Sequence, residues 1–401
     1  YYLNSIGKRL ASNSDAAGDK FHFFIVKAPT INAFAGPAAY IGIHTQLILE
    51  SENESQLASV LAHEIAHVSQ RHLARAFDNS GQSTALTIAT LLAAILVGTQ
   101  DSQAGQAVLM SGIAGSQQSS INFTRSNEYE ADRVGIGILT ATDINPQGMV
   151  EFFEILLDQS SEGGIEYLRT HPLSSNRVSE AKNRINESSE TLPTDTLDFQ
   201  FTKARLIVML SKKPEQYLDD EVVGKGLIGQ YQKALAAIRT HKPDVAIKIL
   251  EKQSDKNNHP WVKLALAEAY TSKNDDIAAL NLLSSLAKLY PGYLPVTMAY
   301  VDALNKNNLP EMSINLLKKQ LQTDDYAIIY KALANAYFAN GQISAALEST
   351  GNQYLREGYI ELAIQQFDNA LKQDDISKST RQRLETAKNE LKKAVKKYNE
   401  R

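Results

Sequence analysis

Ser55–Phe77 reads SQLASVLAHEIAHVSQRHLARAF, and at its centre stands His63-Glu64-Ile65-Ala66-His67, an H-E-x-x-H pattern in a helical stretch. On a helix, positions i and i+4 share a face, so His63 and His67 can point both imidazoles at one ion. Glu64 lies about 100° further round, beside that ion without ligating it, where a general base can take a proton from water. Zinc suits two imidazole nitrogens and brings the pKa of the water it holds to about 7. Leu57, Leu61, Ile65 and Val68 fall on the opposite side and are expected in the core. The helix should therefore be packed on one side and chemically armed on the other.

Two histidines do not make a catalytic site, which needs a third protein ligand and an open fourth position. Asn127-Glu128-Tyr129-Glu130-Ala131-Asp132-Arg133-Val134-Gly135 is a second helical segment, with Glu128 and Asp132 four apart on one face. Glu128 can complete a two-histidine, one-glutamate set, and Asp132 can orient a ligand imidazole through its other ring nitrogen. Taken alone, such a charged segment is simply a solvated helix face. Further on, Thr170-His171-Pro172-Leu173-Ser174-Ser175-Asn176-Arg177-Val178 holds a histidine before a proline. That bond keeps His171 in an extended or turn conformation, from which its ring can swing over a metal cleft as fourth ligand or as a donor to the transition state.

Ahead of the helix, Phe21–Val26 and Ala39–Ile43 read as strands about a Gly36-Pro37 turn, with a further short strand at Leu47–Leu49. Such a sheet would offer an edge on which an extended peptide pairs through its backbone. Between Asp78 and Arg125 the only formal charge is Asp101, and Thr84–Val97 and Ala104–Ala114 are small and apolar. Each is shorter than the roughly 20 residues of a spanning helix. Thr84–Ala114 is expected to form a helical hairpin over the active site or against a membrane or partner, or one buried in the core.

Glu187–Asp198, polar and aperiodic, separates a first domain, 1–190, from a second, 199–401. The second repeats: Ala234, Ala267, Val301 and Ala334 recur in steps of 33, 34 and 33, with Ala237, Tyr270, Leu304 and Tyr337 three residues on and Ala246, Ala279, Ser313 and Ala346 twelve on. This is the period of tetratricopeptide helix pairs, whose small residues let paired helices approach closely and whose concave face binds peptides or partners. A further unit, Gly351, Tyr354, Gly358, Ala363, Phe367 and Ala370, is offset as if one helix were shared, and Glu385–Lys397 would cap the array.

The 43% hydrophobic and 21% charged residues are those of an ordinary globular protein, and a net charge of −4 without a basic run gives no footprint for nucleic acid. With no cysteine, cysteine peptidases, iron–sulfur clusters, thiolate zinc sites and disulfides are excluded. The chain opens Tyr1-Tyr2-Leu3 rather than with methionine, as expected of a processed or trimmed product from which any signal peptide is out of view.

These segments resemble the gluzincin metallopeptidases that include the CAAX prenyl protease and the heat-shock membrane protease HtpX. The similarity covers essentially the whole chain: Asn32-Ala33-Phe34, HEIAHVSQRHLAR from His63 to Arg75, NEYEADRVG from Asn127 to Gly135, and HPLSSNRV from His171 to Val178. It is greatest to the branch with a C-terminal tetratricopeptide array, the periplasmic β-barrel assembly-enhancing proteases of Gram-negative bacteria. The resemblance implies an α+β zincin-like domain, mostly helical with a small sheet, followed by an all-α tetratricopeptide solenoid. It implies one zinc per chain, ligated by His63, His67 and Glu128, with Glu64 as catalytic base, Asp132 supporting the ligands, His171 regulating or completing the metal site, and Arg177 holding that loop. Where the family commonly has Gly-Gly, this chain reads Pro37-Ala38-Ala39. A periplasmic endopeptidase is implied, clearing misassembled outer-membrane proteins and meeting the β-barrel assembly machinery through its repeats. The alternative is a chaperone or adaptor whose metal site is latent or secondary.

Overall fold

The computed structural model describes residues 1–79, 117–160, 166–186 and 195–399. The expected hairpin, Thr84–Ala114, lies outside them. Contacts divide the chain into two units, Tyr1–Ser211 and Lys212–Arg401.

In the first unit, α1 (Tyr2–Ala11) precedes three short strands, β1 (His22–Val26), β2 (Ala33–Ala35) and β3 (Tyr40–His44). β3 lies centrally, parallel to β1 with Phe24 opposite Gly42, and antiparallel to β2 with Phe34 opposite the same glycine. β2 is thus an edge strand. Leu47–Leu49, expected as a strand, belongs instead to the helix α2 (Thr45–Glu50), where Leu47 and Ile48 are buried. A short apolar run has no periodicity to separate strand from buried helix.

The H-E-x-x-H helix, α3 (Glu54–Ser69), starts at Asn53, whose side chain accepts a hydrogen bond from the Gln56 amide. Leu57, Leu61 and Ile65 are in the core, with Val68 partly buried against it. Every residue from Glu54 to Ala66 is buried, those of the polar, armed face as well as those of the core face. The polar face is covered by protein, chiefly α5 (Gln117–Ala141); α4 (His72–Asn79) precedes α5 in the chain. At Gly135 a Cβ would lie 3.3 Å from the His63 backbone nitrogen, so α5 passes close enough to α3 for short acidic side chains to reach its histidines. The unit continues through α6 (Gln147–Ser160), α7 (Glu166–Thr170), α8 (Ser175–Asn186) and α9 (Leu197–Leu210).

α9 corrects the expected start of the second domain at 199. Phe199 is 1% exposed within the first unit's core, Thr196 caps α9 and donates to Glu54 Oε1 at 2.8 Å, and Lys203 Nζ donates to the Ser51 carbonyl at 2.7 Å. The polar stretch of the sequence precedes this helix, but burial assigns it to the first unit.

The second unit is an array of antiparallel helix pairs, Leu227–Arg239 with Pro243–Ser254, Pro260–Ser272 with Asp276–Leu289, Leu294–Lys306 with Pro310–Gln320, and Ala327–Ala339 with Ile343–Arg356. Ala234, Ala267, Val301 and Ala334 are all buried. The first helix of each pair is followed by one residue of positive φ, at His241, Asn274, Asn308 and Gly341, in the phase of the sequence repeat. Gly358, with φ +84, stands seven residues after Gly351 as Gly341 does after Ala334, so Ile343–Arg356 closes the fourth pair and opens a fifth with Ile360–Leu371. A Cβ at Gly351 would fall 2.4 Å from the Phe367 ring, which makes the shared helix depend on that glycine. Lys378–Asn399 follows and contains the expected cap.

Candidate metal centre

Three helices and one loop deliver the polar side chains. His63 and His67 project from α3, Glu128 and Asp132 from α5, His171 from the loop that follows α7, and Arg177 from α8. One donor atom from each of His63, His67, Glu128 and His171 lies within 4.8 Å of the others.

His63 Nε2 is 3.0 Å from His67 Nε2, 3.2 Å from His171 Nδ1 and 3.4 Å from Glu128 Oε2. Glu128 Oε1 is 3.3 Å from His67 Nε2 and 3.2 Å from His171 Nδ1. A tetrahedron with zinc–ligand bonds of about 2.0–2.1 Å has edges of about 3.3 Å. These separations lie near such edges, and one donor from each of the four residues can meet a single cation. Two imidazole lone pairs 3.0 Å apart also repel unless a proton or a cation stands between them.

The electrostatics agree. Burial alone would depress His63, yet its hydrogen bonds to Asp132 and Glu128 lift its pKa to about 10. His67 goes the other way, to about 3, because burial and the neighbouring His63 outweigh Glu128. Metal-free, the pair thus holds one positive charge, on His63. Glu128 stays well below the ordinary carboxylate range despite its burial, through His171 and His63.

The surroundings orient the donors. His63 Nδ1 meets Asp132 Oδ1 at 3.0 Å. Arg177 holds that carboxylate with Nε and Nη2, reaches Glu128 Oε2 with Nη1 at 2.9 Å, and donates Nη1 to the Pro172 carbonyl at 2.8 Å. The last bond ties the His171-Pro172 loop to the acidic pair. Tyr167, 3% exposed, stacks on His171 at 4.5 Å with planes 23° apart, and its amide donates to the Ile31 carbonyl just before β2.

Glu64 is fully buried, with His171 Nε2 3.4 Å from its Oε1 and no hydrogen bond to either oxygen among the described residues. Burial raises its pKa, opposed by His171 and His63, and the backbone of Ala35 on the edge strand also favours its charge. A buried carboxyl beside a cation cradle has the form of a proton acceptor.

All seven sequence-predicted site residues come together here. The sequence reading assigned no role to His72, Arg75, Glu130 or Tyr167. His72 Nδ1 lies 2.8 Å from His67 Nδ1, its Nε2 lies 3.1 Å from Glu130 Oε2, and Arg75 Nη2 donates to that oxygen at 2.6 Å. The available signal was a third histidine five residues after His67, a spacing that helical periodicity discards.

Peptidase family M48 matches residues 1–185. A β-barrel assembly-enhancing protease of Escherichia coli (strain K12) is 34% identical over 384 residues, 93% of this chain and 78% of that protein. The chain belongs to peptidase family M48. It is a zinc metallopeptidase on that membership, and its group of buried His63, Glu128 and His171 with the partly buried His67 is able to hold the metal on which M48 peptidases depend. The M48 relatives include another β-barrel assembly-enhancing protease, from Yersinia pestis, 35% identical over 350 residues covering 86% of this chain and 67% of that one. The mitochondrial metalloendopeptidase OMA1 of Saccharomyces cerevisiae is 28% identical over 186 residues, 44% of this chain and 51% of that one. No described helix of this M48 member is long and apolar enough to cross a membrane.

Proposed function

We propose that the chain is an endopeptidase holding one zinc on His63, His67 and Glu128, and that it degrades misassembled or stalled outer-membrane proteins in the bacterial periplasm. The observation that carries the reading is the convergence of these donors at 3.0–3.4 Å beside the buried Glu64. Bound zinc would polarise the scissile carbonyl and acidify the attacking water. Glu64 accepts the proton of that water and returns it to the departing amine nitrogen. An extended substrate pairs with the edge strand β2, whose Ala35 borders Glu64. The substrate class and compartment are supported by the relatives named β-barrel assembly-enhancing proteases, and the repeat array suits the holding of a polypeptide or of the β-barrel assembly machinery.

One contact favours a latent form. His171 places Nδ1 on the fourth corner, 3.2 Å from His63 and Glu128, and Nε2 beside Glu64 at 3.4 Å. A structural zinc site is closed and a catalytic one keeps an open position. With His171 inward, both that position and the base are engaged, which supports a chaperone or adaptor role while the peptidase rests.

Zinc per chain and cleavage of an unfolded polypeptide, measured for the protein, Glu64→Gln and His171→Ala, test both readings. Stoichiometric zinc, cleavage abolished in Glu64→Gln and raised in His171→Ala are expected. Cleavage that persists in Glu64→Gln rejects the peptidase mechanism, and unchanged cleavage in His171→Ala rejects the latch.

A further inference from the structure

The two histidines of α3 are supported differently. His63 Nδ1 rests directly on a carboxylate, Asp132 Oδ1. His67 rests on another imidazole. Its Nε2 faces His63 and Glu128, so Nε2 is the nitrogen offered to an ion and the ring proton belongs on Nδ1. The partner of that Nδ1 is His72 Nδ1 at 2.8 Å, which must then present a lone pair. The His72 proton consequently sits on Nε2 and is donated to Glu130 Oε2, an oxygen also held by Arg75. Every donor meets an acceptor in one direction only, from His67 to His72 to Glu130.

We propose that His72 is a positioning residue for the metal centre, accepting the Nδ1 proton of His67 and so fixing the tautomer and ring plane in which His67 Nε2 faces the ion. The inference rests on the zinc reading above.

The backbone is shaped to make this contact. On a continuous helix a residue five positions on lies about 140° round from His67. α3 instead ends at Ser69, Arg71 adopts a left-handed conformation with φ +53, and a new helix begins at His72. A non-glycine residue there is disfavoured by its Cβ, and such a conformation is kept where the surrounding structure holds it. What it delivers is a 4% exposed imidazole set nearly perpendicular to His67, with ring centroids 4.7 Å apart.

Zinc affinity of the whole chain, read by competition with a chromophoric chelator, tests the role in His72→Leu, His72→Asn and Glu130→Ala. Leucine fills the space without an acceptor, whereas the asparagine Oδ1 stands near where histidine carries Nδ1 and can still accept from His67. We expect about 10–100-fold weaker zinc binding in His72→Leu, most of it restored in His72→Asn, and a smaller loss in Glu130→Ala. The Glu130 side chain is 28% exposed, so that variant folds even if His72→Leu does not. Imidazole nitrogen NMR of the metal-free chain should show His67 protonated at Nδ1, and a mixture of tautomers in His72→Leu. Unchanged affinity in both His72→Leu and Glu130→Ala overturns the proposal. Equal weakening in His72→Leu and His72→Asn overturns it too, because His72 would then only fill space. A wild-type chain that takes up no zinc rejects the zinc reading itself, and this role with it.

Discussion

Arg177 closes a two-pronged bridge on Asp132, Nε to Oδ2 at 2.7 Å and Nη2 to Oδ1 at 2.8 Å, with both side chains buried. The planar fork leaves Asp132 Oδ1 aligned with His63 Nδ1, and its remaining nitrogen, Nη1, serves Glu128. One guanidinium thus compensates two buried carboxylates and, through Asp132, braces His63.

Removing that cation should be costly. Arg177→Met leaves Asp132 and Glu128 short of a buried partner and is expected to lose about 3–5 kcal/mol in urea unfolding. Arg177→Lys should recover only part, because an ammonium cannot reproduce the fork. A loss under 1 kcal/mol in Arg177→Met would show that the bridge is dispensable.

Zinc uptake should depend on pH in a defined direction. The metal-free pKa of His63 is raised from 6.5 to about 10, so between those values the folded chain carries a proton that zinc must displace. Apparent affinity should rise about tenfold per pH unit across the window and level off above it. By the same linkage, this proton stabilises the metal-free fold fully below 6.5, and the contribution is lost as pH rises through about 10. Competition titrations at three pH values within the window read the slope, and a flat profile would contradict the assigned charge.

The turn before β3 holds Ala38 at φ +54 and Ala39 at φ +58, left-handed positions that glycine adopts without a Cβ clash. Ala38→Gly and Ala39→Gly should each stabilise the chain by about 0.5–1 kcal/mol, the relieved strain exceeding the added freedom of the unfolded chain. The measurement is the thermal midpoint, and a lowered midpoint in both variants would contradict it.

In the repeat array, Gly351 and Gly358 should respond differently to the same change. Gly351→Ala drives a Cβ into the Phe367 ring and is expected to cost about 1–3 kcal/mol by overpacking. Gly358 has open space around it but φ +84, so Gly358→Ala costs about 1 kcal/mol through the backbone alone. Adding Phe367→Leu to each variant separates the two causes, since it should offset the first loss and leave the second.

His63, Glu64, His67, Glu128 and Asp132 were legible because helical spacing makes neighbours of residues four apart, and the repeat was legible because each helix pair must bury the same positions against the next. Such periodic relations belong to the sequence itself. The tertiary structure decided what depends on where unrelated segments meet: that α3 is buried on every side, that Leu47–Leu49 is helical, and that α9 joins the first unit. It also decided that His72 backs His67 across a left-handed residue, and that Arg177 serves two carboxylates. Breaks in periodicity and long-range side-chain contacts leave no regular spacing to read, because their geometry is fixed only when the whole core has packed.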